Sequence, residues 1–444
     1  MVYPGLSPFP FPVAASGSNQ SPVGPGKMRG PGLMQVRAPC AASGWARPAE
    51  KNDGSVAKPR RRLVKHWKLT LPVGLLALAA LTLWIEPAFA DKLADAIAKT
   101  PQGTGPGQID PSKPAGFLGI NGAPEVNLIL AFCWAVWVGW IFSTVGAFGG
   151  VMAGVGHITV YGLGNYAKSF KNTAPQLNKL VTDSIRVSNQ WLVGLSALIS
   201  SFNYWKMGRL VLPLAVSLGA GSIVGSWLSV TLSQGKVSFS AYQGYFGLFV
   251  LFLGAYLFWG TTSRAQAGKK QAKEAAKAFE ETVKRQKSGE KVDTKALGVK
   301  VTSISLTHVT FTFYGVQFGF NPLIPFIGGI VIAGVAAFLG VGGGFLLVPF
   351  LTNVAQLPMY LAAGTSALAV LVGMITSITT FMSGGVSIHW HLIGIELIGI
   401  VIGSVIGPRT SKYIPDIWLK RLFIVLALYV GARYVLRGFF AINI

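Results

Sequence analysis

From residue 126 onward, long apolar runs alternate with short polar or glycine-rich breaks. The runs cover residues 126–143, 184–202, 210–232, 242–260, 325–351, 361–382, 392–407 and 422–436. Their lengths centre on the roughly 17–25 residues a helix needs to cross a hydrocarbon core. A further run, 69–85, stands apart behind a basic flank and ends near Ala88-Phe-Ala90. It reads as a first helix or a signal-like segment (69–90), with cleavage after Ala90 as the other reading. The pattern predicts nine spans: one extra, then four and four. Residues 299–322 follow a different period. Apolar residues alternate with Thr and Ser from Val301 to Phe313, and alternation resumes after Tyr314-Gly315. That predicts a β-hairpin outside the bilayer, since an open hairpin in lipid leaves backbone groups unpaired.

The segments between these runs complete the layout. Residues 1–68 are rich in Pro, Gly, Ser and Ala without apolar period and predict a disordered basic tail. Residues 91–124 form a Pro/Gly-rich connector, and 261–300 a basic linker whose portion 266–287 predicts an exposed helix. A polar insert occupies 165–182.

The two groups of four resemble each other. At an offset of 178, Ser188 falls on Ser366, and Gly221, Gly225 and Ser226 fall on Gly399, Gly403 and Ser404. The cluster Gly146–Gly150 matches Gly340–Gly344 at an offset of 194, and the difference of 16 is close to the length of the polar insert. An even number of spans per unit predicts parallel repeats, 125–260 and 323–444, with a transport site at their interface. The expected fold is an all-α polytopic membrane protein of about nine transmembrane helices. It has two parallel four-helix repeats with Gly-broken helices and a small extramembrane β-hairpin.

Composition narrows the class. The chain has 444 residues, 51% hydrophobic and 12% charged, against about 25% charged in soluble domains. That excludes a soluble globular enzyme. The net charge of +23 concentrates in the tail (+9) and the linker (+6). The rest punctuates span ends, as at Lys168, Lys171, Lys179 and Arg186. Such placement reports membrane orientation rather than a nucleic-acid partner. Nine spans counted from a cytoplasmic tail put linker 261–321 outside, against its charge. A re-entrant segment at one glycine cluster would bring it inside. Two cysteines, Cys40 and Cys133, exclude a disulfide scaffold and a Cys-rich metal site.

The candidate chemistry lies in uncharged residues. Gly340, Gly342, Gly343 and Gly344, with Pro349, break an apolar run. Such a break is tolerated in a membrane where it is buried in protein or lines a cavity, and its freed N–H groups suit an anion. Gly146, Gly149 and Gly150 are the first-half counterparts. Thr365 and Ser366 offer hydroxyl donors near a helix start, or an ordinary cap; Ser188 and Asn189 occupy the matching place. Gly221/Gly225 and Gly399/Gly403 read as close-packing positions. Glu396, the acid inside a second-half span, and His157, beside the first break, are candidate proton carriers. His389 and His391 read as a membrane-edge pair rather than a metal site. No Lys or Arg is expected mid-span near either break. No nucleophile–base, Walker or metalloprotease motif occurs. The expectation is therefore a non-enzyme without cofactor or metal, driven by a gradient.

Taken together, Gly340-x-Gly-Gly-Gly344 with Pro349, Ala363-Gly-Thr-Ser366, and the glycine-bearing span 399–407 with Arg409 resemble the sulfite exporter TauE/SafE family of membrane permeases. The resemblance runs across about 325–440 and is weaker across 126–260. There, Gly146-Ala-Phe-Gly-Gly150 lacks a glycine and the expected proline. It implies a bacterial inner-membrane permease of two four-helix halves that moves sulfite, organosulfonates or related sulfur oxyanions. Its partners would be a small anion and the lipid bilayer, with no nucleic acid. A passive anion channel, or a sensor or scaffold using the linker and hairpin, are the competing functions.

Overall fold

The computed structural model describes residues 90–145, 149–260, 297–353, 355, 357–410, 416–440 and 442. The tail, the run 69–85, the linker helix 266–287 and Gly146 lie outside the described residues.

Helix α1 (Ala90–Ala98) opens the connector. Helix α2 (Leu128–Val145) starts on Asn127, whose Oδ1 accepts the N–H groups of Ile129 and Leu130 as an N-cap should. Helix α3 (Gly149–Val155) runs back along α2: Gly149 packs on Phe142, and the Trp134 indole donates to the Met152 carbonyl at 3.0 Å. It continues into a π-turn, Gly156–Val160. After α4 (Leu163–Ser169) comes α5 (Pro175–Lys206), a helix of 32 residues. The expected polar insert is thus mostly helix. Pro175 pre-sets the first turn, and Asn178 ties two neighbouring segments at once. Its amide donates to Ala167 O, and its Oδ1 accepts Phe239 N–H.

Helices α6 (Leu212–Ser233) and α7 (Phe239–Gly260) complete the first half. The expected hairpin is a three-stranded antiparallel sheet, β1 (Lys300–Ile304), β2 (Val309–Phe313) and β3 (Val316–Phe320). The long strand read from Val301 to Phe313 folds on itself, closed by Ser305 N–H to His308 O at 3.0 Å. The tight turn at Tyr314-Gly315 has φ of 49° and 78° and joins β2 to β3 as a two-residue hairpin loop. The second half is α8 (Leu323–Leu339), α9 (Gly344–Asn353), α10 (Met359–Ser383), α11 (Trp390–Thr410) and α12 (Asp416–Phe439).

The halves exchange partners. Helix α2 packs along α11, α8 along α6, α7 along α12, and α5 along α10. Glycines let the first two pairs approach to backbone contact. A Cβ at Gly221 or Gly225 would lie 2.0 Å from the carbonyls of Phe326 or Ile330, and one at Gly403 would lie 2.0 Å from that of Val136. These positions therefore serve packing.

Direction is read from the same contacts. Gly399 faces Phe132 and Gly407 faces Trp140, so α2 and α11 run parallel. Gln190 meets Ser377 while Gly364 meets Tyr204, so α5 and α10 run antiparallel. The expected repeat equates α5 with α10, and parallel repeats would make them run the same way; their antiparallel packing does not fit that arrangement and instead suits an inverted one. The reason is local. α2 with α3, and α8 with α9, are hairpins broken at glycine, so each half returns the chain to the opposite end.

Two further expectations change with that. The connector binds the α10 end of the bundle, through Leu118 N–H to His389 Nδ1 and Lys92 Nζ to Gly384 O, both at 3.0 Å. The sheet binds the α5 end, through Val299 N–H to Gly208 O at 3.1 Å. Connector and sheet thus lie at opposite ends, not on one side. The nine-span count is also not reproduced as drawn, since runs 126–143 and 325–351 belong to hairpins. Among the described residues, Leu212–Ser233, Leu361–Ser383 and Trp390–Gly407 are long and apolar enough to cross a bilayer. Leu128–Thr144, Gly149–Val160 and Leu323–Leu339 are apolar but shorter. Outward-facing Leu212, Val216, Ile223, Leu248, Phe252, Val331, Ile398 and Val425 are all exposed and form an apolar belt suited to lipid.

Candidate functional site

The second glycine break is the tip of the α8–α9 hairpin. Gly340, Gly342 and Gly343 have φ of 69°, 81° and 57°, a left-handed run that L-residues resist. The amides of Gly340 and Val341 close back onto Ala336 O, and that of Gly344 onto Gly342 O. The amides of Gly342 and Gly343 find no backbone acceptor among the described residues.

Gly150 of the first hairpin presses on this tip. A Cβ there would lie 1.8 Å from Val341 O, and one at Gly342 would lie 2.1 Å from Val193 Cγ1 on α5. The two hairpins therefore meet, Gly150 against Val341. Gly149 packs inside its own hairpin, against Phe142.

The remaining sequence candidates divide. Thr365 and Ser366 are buried near the start of α10. The Thr365 hydroxyl accepts Val211 N–H at 3.2 Å, and that of Ser366 donates to Ala363 O at 3.1 Å. Ser377 on the same helix bonds Gln190 near the break, so Thr365 stands roughly 18 Å away at about 1.5 Å per residue. These hydroxyls do not join the second break. Ser188 and Asn189 are both fully buried, but successive helical residues point about 100° apart. Asn189 lies beside Gly154, His157 and Tyr242, and its amide atoms make no well-formed hydrogen bond. Ser188 Oγ is also unpartnered.

His157 and Glu396 come together. His157 Nε2 lies 3.2 Å from Glu396 Oε2 with both side chains fully buried, and Tyr161 OH donates to Glu396 Oε1 at 2.9 Å. His157 sits in the π-turn, a bulge frequent at functional sites. Its Nδ1 faces Ala153 O at 3.2 Å. A carbonyl only accepts, so Nδ1 carries a proton and Nε2 faces the carboxyl. The facing atoms Nε2 and Oε2 offer places for one further proton between them. A polar path leads on to the break, since Tyr242, beside Asn189, donates to Leu339 O at 3.0 Å.

Sequence reasoning missed a second buried pair. Arg186 was read as a span-end charge, and no cation was expected near a break. Instead it is fully buried, and its carbonyl would lie 2.8 Å from a Cβ at Gly340. Its guanidinium donates to Asp183 Oδ1 at 2.7 Å and to Ser233 Oγ at 2.8 Å, and it sits over the Phe381 ring at 4.8 Å. The signal was available: Asp183 and Arg186, like His157 and Tyr161, fall on one helix face at i,i+3 or i,i+4 spacing. Tyr242 carried no signal of its own.

Glycine-broken hairpins that meet in the core, buried titratable groups and an outer apolar belt make this a helical protein suited to a membrane. The family model of the sulfite exporter TauE/SafE matches residues 131–434. The chain belongs to that family, and is thus a membrane permease of the sulfite-exporter type. No curated protein and no solved structure matches it.

Proposed function

We propose that this protein is a proton-linked secondary permease for small sulfur oxyanions, sulfite or an organosulfonate, in the bacterial inner membrane. The observation that carries the reading is the meeting of Gly150 with Val341. It sets the two breaks side by side at the interface of inverted halves, where permeases hold their substrates. The amides of Gly342 and Gly343, which have no backbone acceptor among the described residues, are the anion donors, with Gly340 and Gly150 permitting the close approach. His157 and Glu396 carry the coupled proton, linked to the break through Asn189 and Tyr242. Thr365 and Ser366, roughly 18 Å along α10 from Ser377, take no part at the second break.

The inverted arrangement also removes the charge conflict. With a cytoplasmic tail the connector faces outward, and the basic linker then faces the cytoplasm, as positive charge favours. Sulfite uptake by proteoliposomes tests the whole. A pH gradient should accelerate saturable flux in the wild type. Glu396→Gln, which keeps the shape and an acceptor for Tyr161, should lower flux about tenfold or more and abolish the response to the gradient. A Glu396→Gln protein with unchanged pH response would remove the pair from the mechanism.

A further inference from the structure

A cavity of about 470 Å³ opens at the connector end, between α1, the start of α5, and the ends of α6 and α10. Lys92 and Lys179 stand in its wall beside Gln234, Thr380 and Ser383, whose side chains bond the carbonyls of Phe381, Thr376 and Thr380. The acid that reaches it, Asp183, is already engaged: Arg186 holds its Oδ1, and Gly235 N–H at 2.6 Å holds its Oδ2. The lining therefore offers two lysines against a carboxylate neutralised by its own guanidinium. Arg186 in turn backs onto Gly340. A small anion in this cavity stands one ion pair away from the second glycine break. Lys92 is fixed in place by its bond to Gly384 O, which ties α1 over the cavity rim.

We propose that this cavity is an antechamber for the permeant oxyanion, with Lys92 and Lys179 concentrating it outside the Asp183–Arg186 pair. The proposal rests on the permease reading above. Clefts lined by one sign of charge raise the local concentration of the opposite ion, and salt weakens the effect.

The test measures sulfite uptake into proteoliposomes of zwitterionic lipid, beside calorimetric titration of sulfite into the purified full chain. For K92Q/K179Q, KM should rise about tenfold at low ionic strength while turnover at saturation stays near wild type, and the difference should shrink as salt is added. Calorimetric affinity should weaken in parallel, and K92R/K179R should restore both. Saturable wild-type uptake with the same KM in K92Q/K179Q overturns the antechamber and leaves the permease standing. No wild-type uptake, but sulfite binding that depends on both lysines, overturns the permease reading and leaves the anion site standing. Uptake that depends on added phosphatidylglycerol, with that dependence lost in K92Q/K179Q and KM unchanged, makes the cavity a lipid headgroup site and overturns the proposal.

Discussion

Asp183–Arg186 and His157–Glu396 are both acid–base pairs in the buried core, yet they are built differently. The first lies within one helix at i,i+3, and its atoms are tied down by Ser233 Oγ, Gly235 N–H and the Phe381 ring. The second joins the π-turn of the first half to α11 of the second, with Tyr161 on one carboxylate oxygen. A guanidinium never gives up its proton in a protein, so Arg186 is charged at all times. An imidazole and a carboxyl can trade theirs, and the second pair can become neutral without leaving its place. Permanent charge suits a fixed barrier beside the path; exchangeable charge suits the cargo of the cycle.

The largest expected effect breaks the first pair. Arg186→Met strands a buried carboxylate and should cost about 3–5 kcal/mol, read as loss of monodisperse protein or a large drop in thermal stability. Asp183→Leu/Arg186→Met should recover most of it. If Arg186→Met proved as stable as Glu396→Gln, the contrast between the pairs would collapse.

A smaller effect tests the tip to which both pairs lead. Gly342→Ala combines left-handed strain with overlap on Val193 and should cost about 3 kcal/mol by thermal unfolding. Val193→Ala should rescue only the overlap, so partial recovery is the expected outcome. Full recovery would show that the backbone conformation there is not strained.

The smallest effect concerns a titratable contact outside the core. Burial and the neighbouring His391 lower the pKa of His389, whose Nδ1 accepts Leu118 N–H. The neutral form is thus favoured when folded. Its contribution is complete above the ordinary value of about 6.5 and fades as pH falls through the lower folded value. The protection factor of the Leu118 amide, its exchange rate divided into the intrinsic rate at each pH, should fall between pH 7 and 5, and His389→Ala should remove that dependence. A pH-independent protection factor would uncouple the connector from the histidine.

Legibility followed range along the chain. Apolar runs and the Tyr314-Gly315 turn are local patterns, and they placed α6, α10, α11 and the sheet well. Glycine spacing picked out close-packing positions, because Gly221/Gly225 and Gly399/Gly403 each bring another helix to backbone contact. Chain direction was lost, since hydropathy cannot tell one crossing from a broken hairpin. It is Gly149 against Phe142, and Trp134 against Met152, that show the chain turning back. His157 and Glu396 were each recognised by type, but no pattern in one sequence joins residues so far apart. Arg186 was misplaced because a charge beside a polar stretch resembles a helix end; only Asp183, Ser233 and the aromatic rings make its burial tolerable.

The exchange of partners between halves bears on how the chain is made. Helix α2 emerges from the ribosome long before α11, the partner whose glycines abut its carbonyls. Helix α6 likewise waits for α8. Until the second half is synthesised, the first carries unfilled seams and a histidine without its carboxyl, so neither half is a self-sufficient folding unit. Assembly is then a late, concerted event. Fragments 1–260 and 261–444 expressed together, rather than either alone, should be the smallest pieces that rebuild the core.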